Sequence, residues 1–189
     1  MTGTILVAGA TGNTGRALVR RLAQAGTAVR AAALGRDRLL ALGVPDVVEI
    51  DYASPITLHR AMGGIDSVYM AAPLGPELVA ITERMAATAV KAGVRRFVKL
   101  SGPAAAEPLE IMRWHRDAER EIEESGLIWT HLRPNLFMQN FISDHLASMR
   151  ERGHFYDPVG PARVSYIDVE DVAAVAAAVL TGGGNGNQT

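Results

Sequence analysis

Residues Gly9 to Gly15 read GATGNTG and stand between two unlike apolar patterns. Before them, Ile5 to Ala8 is a short apolar run of strand length; after them, Leu18, Val19, Leu22 and Ala25 recur at the spacing of one helix face, which Gly26 ends. A strand that turns through glycines straight into a helix puts backbone N–H groups and the positive end of the helix dipole at one point, where they can hold a pyrophosphate. Gly9 permits the tight turn, Gly12 removes a side chain that would block the phosphates, and Gly15 lets the helix pack closely on the strand.

The same alternation continues along the chain. Strands are predicted at Val29 to Leu34, Val47 to Ile50, Val68 to Ala71, Phe97 to Leu100, Ile128 to Leu132 and Val164 to Ile167. Helices are predicted between them at Arg36 to Leu42, Ile56 to Met62, Glu77 to Ala92, Pro108 to Ser125 and Leu136 to Arg150. A last helix, Val169 to Leu180, has Asp168 placed to cap it, while Gly93 and Gly126 stand as helix stops. Such alternation predicts an α/β fold built on a doubly wound parallel sheet. With 189 residues the chain is read as one domain over residues 1–181, with substrate-pocket segments in 134–165; residues 182–189, GGGNGNQT, read as a flexible tail or as the start of a missing C-terminal part.

Composition removes several classes of function. A formal net charge of −1, spread along the chain, offers no basic stripe for nucleic acid. There is no cysteine, hence no disulfide framework and no thiolate chemistry, and redox work must use a cofactor. The longest apolar stretch, Val172 to Leu180, falls well short of the roughly 20 residues that cross a bilayer. With no basic, apolar leader at the start, these features suit a cytoplasmic protein. The five histidines, at 59, 115, 131, 145 and 154, show no metal-ligand spacing, so no metal is expected.

The stretch after the second strand bears on which dinucleotide is held. It reads Ala32-Ala33-Leu34-Gly35-Arg36, without the carboxylate that binds both ribose hydroxyls of NAD. Arg36 and Arg38 follow, and guanidinium groups suit the 2′-phosphate of NADP; alternatively both solvate a helix start, with Asp37 between them as a partner. NADP, as NADPH, is favoured over NAD. Asp51, ending the third strand, is placed to accept from the adenine amine or to cap a turn.

GATGNTG, the FVKLSG segment at Phe97 to Gly102, the stretch from His115 to Asn140 and the run VSYIDVEDVAAVAAAVL together resemble the NmrA-like atypical short-chain dehydrogenases. The likeness covers nearly the whole chain and implies a Rossmann fold. It also implies that Gly9, Thr11, Gly12, Asn13, Thr14 and Gly15 line the phosphates and that Asp51 and Tyr52 flank the adenine. Ala71, Ala72 and Pro73 would border the nicotinamide ribose, and the segment from Pro134 to Phe137 would face the nicotinamide. Ser101 matches the position of a catalytic serine, although a serine before Gly-Pro also suits a strand-to-loop turn.

Two departures from that family stand out. The Tyr-x-x-x-Lys pair is absent, since Tyr52, Tyr69, Tyr156 and Tyr166 have no lysine four residues on. In the isoflavone-reductase relatives a helix lysine does the acid–base work, and the resemblance puts His115 in its place, as a proton donor near neutral pH or as a hydrogen-bonded helix residue. The second departure is length, because similar proteins continue past Thr189, so the substrate-covering part is expected to be truncated. Met112, Trp114, Phe137, Met138 and Phe141 are candidates for an apolar substrate pocket, but their helical spacing reads first as core.

The function expected is NADPH-dependent reduction of a quinone or similar conjugated carbonyl by hydride transfer. The alternative is an NADP(H)-binding redox sensor without turnover. The expected partner is a small quinone-like substrate, with room for a homo-oligomer or a regulatory protein partner.

Overall fold

The computed structural model describes residues 3–103, 109–155, 163–182 and 186–189. Six parallel strands, β1 (Thr4–Ala8), β2 (Val29–Ala33), β3 (Asp46–Glu49), β4 (Ile65–Met70), β5 (Arg96–Leu100) and β6 (Ile128–Leu132), form one sheet in the order β3-β2-β1-β4-β5-β6. The inner strands are short runs buried on both faces, as a parallel sheet covered by helices requires, while the edge strands β3 and β6 are partly exposed. The chain winds outward first through β2 and β3, then back across β1 to β4, so the order reverses between β1 and β4. A crevice opens beyond the carboxyl ends of those two strands.

Helices cover both faces. On one side α1 (Asn13–Gln24) packs on α7 (Val169–Thr181), and Leu18, Val19 and Leu22 of α1 meet Val7 and Tyr69 of the sheet and Ala173 and Ala176 of α7 in one buried cluster. On the other side α3 (Pro55–Met62), α4 (Leu78–Ala92) and α5 (Glu110–Glu123) enclose Leu6, Met70 and Phe97. A short α2 (Arg36–Leu40) follows β2. The punctuation agrees with its chemistry: Gly93 ends α4 in the left-handed region at φ 78°, and Asp168 caps α7 by accepting from Glu170 N at 2.9 Å. Among the described residues no helix is long and apolar enough to cross a membrane.

Two expectations need correction. The helix predicted from Leu136 to Arg150 is instead β7 (Leu136–Phe137), a π-helical turn (Phe141–His145) and α6 (Leu146–Arg152). Pairing outweighs the helical period: Leu136 and Phe137 lie beside Tyr166 and Ile167 of β8 (Tyr166–Ile167) in a small second sheet, and Met138 N donates to Ile167 O at 3.0 Å. Gln139 then braces the start of α7, donating to Asp168 at 2.8 Å and accepting from Val169 N at 3.1 Å. The core reading of the apolar set also fails in part. Phe137 packs on the core, but Met138 is 48% exposed, Met112 and Trp114 are half-buried on α5, and Phe141 joins a group of rings with His145, Phe155 and Tyr166.

The end of the chain has a place. Asn187 N donates to Trp129 O at 2.6 Å and His131 N to Gln188 O at 3.0 Å, extending the sheet in parallel beyond β6. Of the segments predicted around the substrate and the tail, residues 156–162 and 183–185 lie outside the described residues, as does the predicted helix start at Pro108.

The α1–α7 seam is packed from buried side chains. Leu18→Ala removes a fully buried side chain there, and urea unfolding is expected to show a loss of about 2–5 kcal/mol with an unchanged slope.

Candidate functional site: a nucleotide cleft and a buried ionic cluster

The crevice at the point of reversal is a cleft of about 410 Å³. Its floor is the turn after β1. Gly9 has φ 84°, and a Cβ there would stand 2.2 Å from Ala71 O, so only glycine lets the turn lie against the end of β4. Gly15 is as constrained, since a Cβ would fall 2.2 Å from Gly9 O; its bareness seats α1 on the turn. A Cβ on Gly12 would meet only Gly9 O, at 3.3 Å, which leaves the face toward the cleft clear. Helix α1 begins at Gly12 without a side-chain cap and with no acidic residue in its first turn. Its first N–H groups and its dipole are therefore available to an anion. The hydroxyl of Thr14 is held from behind by buried Tyr69, whose Oη donates to Thr14 Oγ1 at 3.0 Å.

The sequence-predicted nucleotide residues mostly converge here. Gly9, Thr11, Gly12, Asn13 and Thr14 line the cleft from one side, and Tyr52, Ala71, Ala72 and Pro73 from others. Arg38 is at its mouth, its guanidinium folded over Gly35 with Nη2 at 3.4 Å from Leu34 O. Four residues are placed otherwise. Gly15 is buried beneath the turn and is not in the lining. Arg36 lines a separate depression with Arg30, Asp46 and Arg60. The carboxylate of Asp51 accepts from Ala53 N at 2.8 Å, the turn-capping alternative. Pro134 is not in the lining, where Phe137 stands instead. Ala33, Leu34 and Leu100, at the ends of β2 and β5, complete the wall and were not foreseen. Any residue following a strand's carboxyl end at the reversal is a candidate, which is the signal that would have found them.

Beside the cleft, beneath α5, is a cluster of buried charge. Lys99 has no solvent exposure; its Nζ donates to His115 Nδ1 at 3.1 Å, to Ser101 Oγ at 3.3 Å and to Leu100 O at 3.3 Å. Ser101 Oγ is 3.4 Å from His115 Nδ1. Thus the two predicted catalytic residues are brought together, and the lysine that joins them was missed. Gly102 makes room: a Cβ there would stand 2.8 Å from His115 Cδ2. Around it and nearer the surface, Arg133 grips the buried Glu119 with two bonds, at 2.9 and 2.6 Å, and Arg116 grips Glu123 at 2.6 and 2.9 Å.

Electrostatics assigns protonation states. Burial lowers Lys99 to about 8, opposed by Glu119 and aided by Arg133. Burial and then the Lys99 charge push His115 down to about 4. The imidazole is therefore neutral at pH 7, so any proton it donates there comes from a neutral ring. Burial alone would raise Glu119, but hydrogen bonds from Arg133 and Ser101 prevail and hold it at about 2. His131, stacked on Trp129 at 4.6 Å and 3.2 Å from Glu123, is lowered by burial to about 4. Glu119, Glu123 and His131 place ligand atoms within 4.8 Å of one another, but both carboxylates are already neutralised by arginine, so the set reads as an ion-pair network.

A sequence profile described as NAD(P)H-binding matches residues 9–182. Among curated proteins, the chain is 40% identical over 190 residues to an NAD(P)H azoreductase of Xenophilus azovorans, covering 97% of this chain and 65% of that protein. It is 42% identical over 187 residues to a (4-alkanoyl-5-oxo-2,5-dihydrofuran-3-yl)methyl phosphate reductase of Streptomyces griseus, covering 96% and 64%. The chain thus spans just under two thirds of the length of these relatives. Among solved structures, Citrobacter sp. triphenylmethane reductase superposes with a TM-score of 0.88 at 25% identity, over 98% of this chain and 68% of the other. The NADPH-dependent quinone oxidoreductase QOR2 of Escherichia coli, complexed with NADPH, has a TM-score of 0.87 at 23% identity, over 97% and 67%, and supports the fold alone.

The two lowered imidazoles predict acid sensitivity. Below about 6.5 the unfolded chain takes a proton at each, whereas the folded chain does so only near pH 4. Their stabilising contribution is therefore complete above 6.5 and declines as the pH falls toward 4. His131→Phe keeps a ring on Trp129 but cannot titrate; its urea midpoint should fall less steeply than the native protein's between those values.

Proposed function

The chain belongs to the NAD(P)H-binding family, and on that footing we propose that it is the nucleotide-holding body of an NADPH-dependent reductase acting on a quinone or similarly conjugated acceptor. The observation that carries this reading is the cradle itself: Gly9 and Gly15 with no room for side chains, Gly12 bare toward the cleft at an uncapped helix start, and one arginine at the mouth. The pyrophosphate fits over Thr11 to Thr14, where N–H groups and dipole neutralise it. Arg38 suits the 2′-phosphate, Tyr52 borders the adenine, and Ala71 to Pro73 border the nicotinamide ribose. When bound, the reduced nicotinamide supplies a hydride.

The residues of this chain then have few tasks. Leu100 and Phe137 make an apolar wall that keeps water from the reacting ring, and the small Ala71 and Ala72 let it lie close. Hydride transfer to an electron-poor acceptor needs mainly proximity and orientation. Classical alcohol–ketone chemistry has no Tyr-x-x-x-Lys pair to use here. The azoreductase name of the 40% identical relative supports a conjugated, electron-poor substrate class, which is the class chosen.

The test is oxidation of NADPH, against NADH, with a panel of quinones and azo compounds, beside a fluorescence titration of cofactor binding. NADPH-selective turnover is expected. Binding without reduction of any acceptor would favour the redox-sensing alternative and defeat the reductase reading. Arg38→Ala should weaken NADPH binding on the order of tenfold and leave NADH unchanged, because a charge-assisted bond contributes about 1.5 kcal/mol or more. Arg36→Ala removes a side chain that faces another depression and should leave the binding of both nucleotides unchanged.

A further inference from the structure

Lys99 is hard to explain as a structural residue. It stands in a parallel strand between Val98 and Leu100, and its ammonium is wholly buried although, among the described residues, no carboxylate is one of its direct hydrogen-bond partners. The nearest acid that stabilises its charge, Glu119, is already bidentate with Arg133. An aliphatic residue would fill such a strand position with less cost of desolvation. What the amine does have is a short contact to an imidazole that is itself half exposed.

We propose that Lys99, buried with Nζ 3.1 Å from His115 Nδ1 and 3.3 Å from Ser101 Oγ, holds the proton that His115 passes outward to the substrate once the hydride has been delivered. The inference rests on the reductase reading above. An ammonium only donates, so its bond to Nδ1 leaves that nitrogen as the acceptor and puts the ring proton on Nε2. Lys99 and Ser101 are both buried, whereas His115 is partly exposed, which makes the imidazole the exit. Gly102 seats the Cδ2–Nε2 edge of the ring, because a Cβ would come within 2.8 Å of Cδ2 and 3.3 Å of Nε2.

The step balances as follows in atoms and charge. The acceptor's conjugated carbonyl takes the hydride and becomes an oxyanion of phenolate type. The Nε2–H bond of His115 breaks as an O–H bond forms, while the Nζ–H bond of Lys99 breaks as Nδ1–H forms. Lys99 is left as a neutral amine and recovers its proton from water through the same ring after product leaves. Phenolic oxygen has an ordinary pKa of about 10, above the value of about 8 to which burial lowers Lys99, so the transfer runs downhill overall. His115 never needs to exist as a stable cation. Lys99 is in this scheme a positioning and proton-holding residue; only His115 meets the substrate.

Lys99 is lowered first by burial, with Glu119 on α5 opposing and Arg133 just beyond β6 aiding; the other polar groups around it are Ser101 just past its strand, His115 on α5 and His131 opposite it on β6. Met70 opposite on β4, and Ile81 and Met85 of α4 on this face of the sheet, are uncharged. Turnover requires the protonated amine, and so falls as the pH rises through about 8.

Two measurements test the proposal. Imidazole nitrogen NMR of the labelled native protein reads the tautomer without any turnover: Nδ1 of His115 is expected as an acceptor and Nε2 as protonated at pH 7. In Lys99→Met the His115 pKa should rise from about 4, since the adjacent positive charge is gone, while burial still holds it below the ordinary imidazole value. Protonated Nδ1 in the native protein, or an unmoved His115 in a folded Lys99→Met, overturns the proposal, and the first result needs no variant to fold. In kinetics with NADPH and benzoquinone, the alkaline limb near pH 8 should vanish in Lys99→Met, with kcat at least tenfold lower and the KM for NADPH unchanged. Lys99→Arg keeps the charge but cannot release a proton, and should lower kcat as much as methionine does. Full activity in Lys99→Arg would overturn the proton-holding role. If the native protein reduces no acceptor, the reductase reading falls, and the nitrogen shifts still judge the Lys99–His115 bond separately.

Discussion

The approach of Gly9 to the carbonyl of Ala71 is the contact on which the rest depends. It joins the end of β1 to the end of β4 at the place where the strand order reverses, and a single methyl at Gly9 would stand 2.2 Å from that oxygen. Gly15 repeats the constraint from the other side, seating α1 on the same turn. The helix start, the small wall of Ala71 and Ala72 and the carboxyl end of β2 then meet at one cleft. Tyr69 adds a polar tie, its buried hydroxyl reaching Thr14 across the seam. Because α7 packs on α1, this local geometry is backed by a buried apolar cluster that continues through Leu18, Ala173 and Ala176. The cleft is rigid for a packing reason rather than through its own hydrogen bonds.

How much of this could be read in advance follows from which interactions are local. The six strands of the main sheet, the glycine turn, the stops at Gly93 and Gly126 and the cap at Asp168 all express themselves within a few residues of chain, and each is where its pattern placed it, to within a few residues at the ends. The stretch after β6 did not read correctly, because its conformation is decided by a distant partner. Leu136 and Phe137 have a helical neighbour pattern, yet Tyr166 and Ile167 offer them a strand, and Gln139 is drawn to the start of α7. At the site, the glycines and Arg38 were legible from chemistry, whereas Asp51 carried two readings and the fold takes the turn-capping one. Lys99 could have been noticed, since a cation inside an apolar strand run is rare without a purpose. Its partner is not readable, as His115 comes from the following helix.

The cluster below α5 shows how buried charge is tolerated here. Three cations, Lys99, Arg116 and Arg133, share two carboxylates, Glu119 and Glu123, and two imidazoles held neutral by burial complete the group. Breaking one member leaves the opposite charge stranded, which typically costs more than the intact pair contributes. The network therefore acts less as a source of stability than as a frame. It holds α5 against β6 with bidentate geometry and keeps His115 beside Lys99 and Ser101.

Arg36 and Arg38 show the same separation of composition from geometry on a smaller scale. They are two residues apart at the start of α2, a spacing that turns side chains well away from each other on a helix. Only one can face the cleft, and the left-handed Gly35, fixed by its N–H donating to Glu49 at 3.0 Å, decides that it is Arg38. Arg36 is sent toward Arg60 and Asp46 at the sheet edge. Glu49 is an acid close to the mouth of the cleft, but its Oε1 is engaged by the backbone of the loop. What confronts a bound ribose from this side is therefore a guanidinium without a competing carboxylate among the cleft's lining residues, and that difference of one charge is what would separate a phosphorylated ribose from a bare one.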